Sequence, residues 1–324
     1  MQVLGEAAIE ALMPMGRCIT VVAEAMQAVS RGEVLAPLRS IMPLAPPNAM
    51  GIMPGALLGR GVFGVKVLGL YPGNSKRNLP SHAGMVVLFD AHDGAPVAVL
   101  ESNSLTALRT AAASAVATRA LARPGGEVLG LLGAGHQALW HVRALMQVMP
   151  LRRLQLWSRT RASAERLLAR LELPGSIELA ITDDARSAVS GADVVCTVTA
   201  SREPVLLGDW LRPGQHINLV GASVASALEA DTAVVQNSRF FVDARASAQV
   251  QAGEWLQALE CGAVTPEHLC GEIGEVLLGR LPGRLAAHDI TVYKSLGHTA
   301  QDLATADTLL GLARASGSHP EIAW

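Results

Sequence analysis

The segment Gly133-Ala134-Gly135-His136-Gln137-Ala138 limits what this chain can fold into more than any other stretch. It follows the apolar run 129–132 and precedes residues with helical periodicity, so it lies where a strand turns into a helix. The order fits Gly-x-Gly-x-x-(Gly/Ala). The first glycine permits a tight turn, the second admits a pyrophosphate against the backbone, and the small third position lets helix and strand pack closely. Gly133, Ala134, Gly135, His136 and Gln137 are therefore candidate cofactor-binding positions. The N–H groups at the start of the following helix suit the same anion. A glycine turn with no ligand is the plainer alternative, and the pattern downstream decides between them.

That pattern alternates. Strands are predicted at 128–132, 154–157, 177–180, 194–197, 215–220 and 239–242, with helices near 136–149 and 162–171. Alternation over this length implies a parallel sheet covered by helices on both faces, an α/β doubly wound fold of Rossmann type. The preceding residues differ. Residues 1–35 have helical spacing (Val21, Val22, Ala25, Met26, Val29) with Gly32 as a stop. From 36 to 100, prolines separate strand-like runs at 40–44, 62–70 and 85–89, and Asp93-Gly94 marks a hairpin turn to a return strand at 97–100. A mixed α+β domain with antiparallel pairing is expected there. An alanine-rich helix follows at 104–122 with Ser104 as its N-cap. Pro124-Gly125-Gly126 ends it and marks a boundary, and the tail 297–315 is helical again.

Cofactor choice is made at the end of the second strand of such a fold. An enzyme that uses NAD usually places a carboxylate there for the ribose 2′-hydroxyl. This chain has Ser158-Arg159-Thr160-Arg161 instead. Arginine offers a planar fork for a 2′-phosphate and the hydroxyls add donors. NADPH is expected over NADH, with NADH still possible. The competing explanation is a run of ordinary surface arginines, since only three of the 26 cationic residues are lysines (Lys66, Lys76 and Lys294).

Composition removes several classes. With 50% apolar residues and 17% charged ones, the chain is not intrinsically disordered. A formal net charge of -2 gives no field for general nucleic-acid binding. No apolar run is long enough to cross a bilayer. Glu6 and Glu10 with no basic start argue against a secretory leader, so a cytoplasmic location is expected. The four cysteines form no CxxC pair and are expected to be small buried hydrophobes. The scattered histidines give no metal site.

Several further segments carry a family resemblance. They are Gly64-Val65-Lys66, Tyr71-Pro72-Gly73-Asn74, His82 with Val87-Leu88-Phe89-Asp90, Leu105 to Ala112, the Gly133 loop, Val198 to Ser201 before Glu203-Pro204, Asn218 to Ser223, and Tyr293 to Gly297. Collinear in order and spacing, they resemble the ornithine cyclodeaminase/mu-crystallin family over most of the chain. The resemblance implies a substrate-binding and dimerisation domain (1–122 with 297–324), a dinucleotide domain (123–296) and a homodimer. Arg39, Lys66 and Arg109 match the set that holds a substrate carboxylate, and the charge chemistry of arginine and lysine suits them to it. Lys66 or a bound water is also the candidate proton donor, and His82 is a second candidate, with a structural, hydrogen-bonded histidine as its alternative reading. Thr110, Thr199, Val220, Ser223 and Lys294 are implied to border the cofactor.

One position departs from the cyclodeaminase pattern. Cyclodeaminases carry an aspartate general acid/base where this chain has Ser223, and a hydroxyl cannot serve as that base near neutral pH. Glu229 and Asp231, the next acids, are expected to be ordinary helix or turn charges. Gly221-Ala222-Ser223 instead resembles the branch that reduces cyclic ketimines. The implied activity is NAD(P)H-dependent reduction of small cyclic 2-carboxy imines, pyrroline-2-carboxylate or piperideine-2-carboxylate, to L-proline or L-pipecolate. Ornithine cyclodeamination and an L-alanine-type dehydrogenase are the alternatives, and a non-enzymatic binding role is a more distant one.

Overall fold

The computed structural model describes residues 1–324 other than Asn78, Ser318 and Trp324, so those three positions of the expected domain ranges lie outside the described residues. The chain opens with β1 (Gln2–Leu4), α1 (Glu6–Leu12), α2 (Met15–Ser30), β2 (Val34–Leu35), β3 (Ser40–Pro43), β4 (Ala49–Leu57), β5 (Val62–Leu70), β6 (His82–Asp90), β7 (Pro96–Glu101) and α3 (Ser102–Leu121). It continues with β8 (Val128–Leu132), α4 (His136–Leu145), β9 (Arg153–Trp157), α5 (Arg161–Leu168), β10 (Glu178–Ile181), α6 (Ala185–Val189), β11 (Val194–Thr197), β12 (His216–Leu219), α7 (Thr232–Gln236) and β13 (Arg239–Val242). It closes with α8 (Arg245–Gln251), α9 (Gly253–Glu260), β14 (Leu269–Glu272), α10 (Ile273–Leu277), β15 (Thr291–Lys294) and α11 (Thr299–Ser316). Two compact units result, one of Met1–Arg109 with His298–Trp324, the other of Thr110–Gly297. They divide inside α3, whose alanine-rich run contains no residue that would interrupt a helix, rather than at Pro124-Gly125-Gly126.

In the first unit the sheet order is β1-β7-β6-β5-β4-β2, with β3 also paired to β4. Only β1 with β7 is parallel. The expected single helical stretch over 1–35 is broken by Pro14, which cannot continue a helix interior, and is flanked by β1 and β2. β4 is a strand that proline content hides. Pro54 falls in the gap between residues paired to β3 (Ala49 to Ile52) and those paired to β2 (Ala56, Leu57), where no ladder partner needs its missing N–H. One sheet face is covered by α11, which crosses β4, β5 and β6 and packs on α2. Alternation along β5 sends Val62, Gly64 and Lys66 to that buried side and Phe63, Val65 and Val67 to the other. There Phe63 stacks on Phe89, and Met85 is 48% exposed.

The second unit is an eight-stranded sheet, β10-β9-β8-β11-β12-β15-β13-β14, with every pairing parallel. Burial on both faces explains the unbroken apolar runs. Leu129, Leu131, Val194 and Cys196 join a core with α4 and α5. Leu132, Val195, Ile217 and Leu219 point the other way, into a core with α6, α7 and α9. This is the doubly wound parallel sheet expected from the alternation. β15, inserted between β12 and β13, and β14 at the edge are two strands beyond those expected from the sequence.

Of the cysteines, Cys18 and Cys196 are buried as expected, whereas Cys261 is exposed and Cys270 half-buried. Leu303 on α11 is fully buried against β4 and β5. Leu303→Ala should cost about 2–5 kcal/mol by leaving a cavity. The expected readout is faster amide exchange across β4 and β5, and unchanged exchange there would contradict this packing.

Candidate active and dinucleotide sites

In the first unit the chemistry gathers around one carboxylate. Asp302 lies in the first turn of α11, where the helix dipole favours an acid, and His298 caps that helix by accepting from the Ala300 N–H at 3.2 Å. α3 presents Arg109. Its first turn is capped by Glu101, whose carboxylate accepts from the Asn103 and Ser104 N–H groups, so the cap is Glu101 rather than Ser104. β5 presents Lys66 from its buried face.

Lys66 Nζ donates to Asp302 Oδ1 at 3.0 Å and to Thr106 Oγ1 at 2.5 Å. Arg109 Nε donates to the same Oδ1 at 2.9 Å, and its guanidinium also donates to Gln301 Oε1 at 2.8 Å. Asp302 is fully enclosed, and Lys66 and Arg109 keep only 2% and 5% of their surface open. Two cations therefore share one anion in an apolar setting, leaving positive charge in excess.

The charges act on each other as burial and Coulomb's law require. Burial pushes Lys66 down to about 8, Asp302 opposes that fall, and Arg109 and Arg39 add to it. Burial alone would raise the Asp302 carboxyl, but Arg109 and Lys66 together hold it below the usual carboxylate range. His82, at the start of β6, is held below an ordinary imidazole by partial burial and then by the charge of Lys66. Arg39, Lys66, His82 and Arg109 thus lie within electrostatic reach as one cluster. Asp302, Thr106 and Gln301 complete it and were not foreseen. The available signal is an acid in the first turn of an alanine- and leucine-rich helix.

In the second unit the candidate residues share one edge. All strands are parallel, so Gly133 after β8, Ser158-Arg159-Thr160 after β9, Thr199 after β11, Val220 to Ser223 after β12 and Lys294 at the end of β15 stand at the same carboxyl-terminal side. Ligands of such sheets bind there. The loop suits a pyrophosphate. Gly133 has φ +115°, and a Cβ on it would sit 2.8 Å from the Val198 carbonyl oxygen. A Cβ on Gly135 would meet nothing within 4 Å, so the space above the α4 N-terminus is open, and no side chain caps that helix. Ala134, His136 and Gln137 complete the turn. Arg159 is exposed, and among the described residues it forms no ion pair or hydrogen bond; Thr160 Oγ1 and Ser163 Oγ are 2.8 Å apart. Thr110, in α3, is buried, and its hydroxyl has no hydrogen-bond partner among the described residues.

Two expectations are corrected. Lys294 has no accessible surface, and its Nζ lies 2.8 Å and 3.0 Å from the two Glu254 carboxylate oxygens. A fully enclosed ammonium cannot touch a cofactor. Glu229 is not an ordinary surface charge. It is fully buried and receives donors from the loops after β11 and β12. Asp231 is a helix N-cap, accepting from the Val234 N–H. Among the described residues there is no cluster of three metal-ligating side chains, and no helix is long and apolar enough to cross a membrane.

The model of the ornithine cyclodeaminase/mu-crystallin family matches residues 1–316. The ketimine reductase mu-crystallin of Mus musculus is 36% identical over 276 residues, covering 85% of this chain and 84% of its own. The structure of Thermococcus litoralis Delta(1)-pyrroline-2-carboxylate reductase in complex with NADH and L-proline superposes with a TM-score of 0.96 at 31% identity, covering 99% of this chain and 100% of that one. An archaeal alanine dehydrogenase dimer with bound NAD gives a TM-score of 0.94 at 28% identity, covering 100% and 99%.

Asp302→Asn leaves two buried cations without their counter-charge. It should destabilise the protein by about 3–5 kcal/mol, seen as a lower urea midpoint. A midpoint unchanged from the parent would refute the shared ion pair.

Proposed function

The chain belongs to the ornithine cyclodeaminase/mu-crystallin family, and on that footing we propose that it reduces small cyclic 2-carboxy imines, pyrroline-2-carboxylate or piperideine-2-carboxylate, to L-proline or L-pipecolate. The observation that carries this is the excess cation at Asp302. Lys66 and Arg109 share one carboxylate oxygen, so the cluster is electrostatically short of an anion. A substrate α-carboxylate is that anion, and Arg39 supplies further attraction. With geometry set by such a clamp, orientation does much of the catalytic work. A bound nicotinamide dinucleotide would supply the hydride. Lys66, with a pKa near 8, carries a proton at Nζ at neutral pH that it can hold or release, and His82, whose imidazole is held below its ordinary value, is the second candidate.

The cofactor assignment rests on Gly133 to Gln137 for the pyrophosphate and on Ser158, Arg159 and Thr160 for a ribose 2′-phosphate. Arg159 has no internal partner among the described residues, so NADPH is the preferred cofactor; the bound NADH of the Thermococcus litoralis relative supports NADH as the second choice. Thr110, Thr199, Val220 and Ser223 would border the nicotinamide side. Cyclodeamination is disfavoured because Ser223 stands where its aspartate would be, and Glu229 is closed off by donors. An alanine-type dehydrogenase is the second reading, favoured by the archaeal dimer. That relative also supports a homodimer here, for which the outward apolar face of β5 and β6 (Phe63, Val65, Val67, Met85, Val87, Phe89) is the surface we propose. We place this activity in the cytoplasm.

NADPH oxidation followed at 340 nm should proceed with the cyclic imines and not with pyruvate plus ammonia; the reverse result would establish the dehydrogenase reading. KM for the imine should rise as pH climbs through about 8, because Lys66 is a cation below that value and neutral above it. Lys66→Met should give a high KM that does not vary with pH, and a wild-type KM constant across this range would remove Lys66 from carboxylate binding. Arg159→Asp should shift preference from NADPH to NADH by at least about tenfold, the scale expected when a charge-assisted hydrogen bond to phosphate gives way to repulsion between two anions. An unchanged ratio would leave the 2′-phosphate assignment without support.

A further inference from the structure

The second unit contains a buried charge relay that neither hydride transfer nor carboxylate binding uses. Glu229, Glu254 and Lys294 all have no accessible surface. One Glu229 oxygen accepts from the Thr199 N–H at 2.6 Å and the Thr199 hydroxyl at 2.7 Å. The other accepts from the Thr197 hydroxyl at 2.7 Å, the Gly221 N–H at 2.5 Å and the Ala222 N–H at 3.3 Å. The Glu229 N–H in turn donates to Glu254 Oε1 at 3.0 Å, and Glu254 holds Lys294. The relay therefore joins the ends of β11, β12 and β15, which are neighbours in the sheet.

The geometry has no slack. A Cβ on Gly221 would fall 2.5 Å from Glu229 Oε1 and collide with the Thr199 carbonyl, so the loops after β11 and β12 approach as closely as backbone allows, with the carboxylate bridging them. A buried carboxylate that only filled space would cost stability, whereas one receiving five donors from the end of β11 and the loops after β11 and β12 determines where those loops stand. In a doubly wound sheet the two halves of a dinucleotide lie on opposite sides of the point where strand order reverses. In the cofactor assignment proposed above, β8 and β9 would serve the adenosine half, and β11 and β12 the nicotinamide half.

We propose that Glu229 is a positioning residue for the nicotinamide half of the cofactor: it fixes Thr199 and Gly221 to Ser223 as one rigid floor, while Glu254 and Lys294 anchor it from β15. This rests on the dinucleotide assignment made above. It predicts an effect on one half of the ligand only. Glu229→Gln places an amide NH2 among donors, so the bridge loosens without a change of size.

The test is direct titration of wild type and Glu229→Gln with NADPH, NADH, reduced nicotinamide mononucleotide and 2′,5′-ADP, using cofactor fluorescence and calorimetry, with a thermal melt of each variant. Affinity for NADPH and for reduced nicotinamide mononucleotide should fall about tenfold, and that for 2′,5′-ADP should stay within about twofold. General loss of structure would weaken all ligands alike, and that outcome overturns the proposal, as does unchanged NADPH affinity in a variant whose wild type binds it. If wild type binds neither dinucleotide, the cofactor assignment itself fails. Thr197→Val removes one donor to Glu229 at matched shape and decides the matter should Glu229→Gln not fold. It should show the same one-sided loss at about threefold, and equal loss for both halves would again refute the role.

Discussion

A carboxylate with no accessible surface has to be answered by charge, and Asp302 is answered twice, by Lys66 from β5 and Arg109 from α3. Neutral packing could have held those elements together at lower desolvation cost. What the ion cluster adds is an address: two cations 43 residues apart in sequence are brought to one oxygen by a helix that returns from the other end of the chain. The first unit's sheet, the covering helix and the candidate substrate site depend on that contact. Because the cations outnumber the anion, the same contact that organises the unit leaves it ready for a further negative group.

The second unit solves a similar problem with a different balance. Glu229 is met by backbone N–H groups and hydroxyls rather than by a cation, while Glu254 takes the only lysine there. Donors of that kind cannot swing away as a lysine side chain can, so the loops they belong to become stiff. One unit thus holds two cations on one buried carboxylate, and the other meets its buried carboxylates with fixed neutral donors and a single lysine.

Legibility in the sequence followed locality. The Gly133 loop and its flanking strand and helix were readable because the motif, its turn and its helix start are contiguous. The parallel sheet followed from alternation alone. β4 was hidden because Pro54 argues against a strand unless one knows that it falls between two partner strands, and β14 (Leu-Cys-Gly-Glu) and β15 (Thr-Val-Tyr-Lys) lack the apolar run that marks strands of the same length such as β11. Lys66 and Arg109 stood out through resemblance and their apolar surroundings. Asp302 and Glu229 did not, because an acid's partner depends on segments 193 to 236 residues away for the first and on backbone donors, which have no letter of their own, for the second. Lys294 was legible as notable but not as enclosed, since burial of a charge is visible only with its counter-ion.

The placement of α11 bears on the order in which this molecule comes into being. The first unit needs residues from both ends of the chain, whereas the second is one uninterrupted stretch, Thr110–Gly297. During synthesis from the N-terminus the second unit has all its strands before α11 has emerged. Unit one, although begun first, must wait with β4, β5 and β6 uncovered and with Lys66 and Arg109 lacking their carboxylate. Completion therefore runs against the direction of translation, and a chain stopped shortly after Gly297 would carry one finished half and one exposed, cationic sheet of the kind chaperones hold.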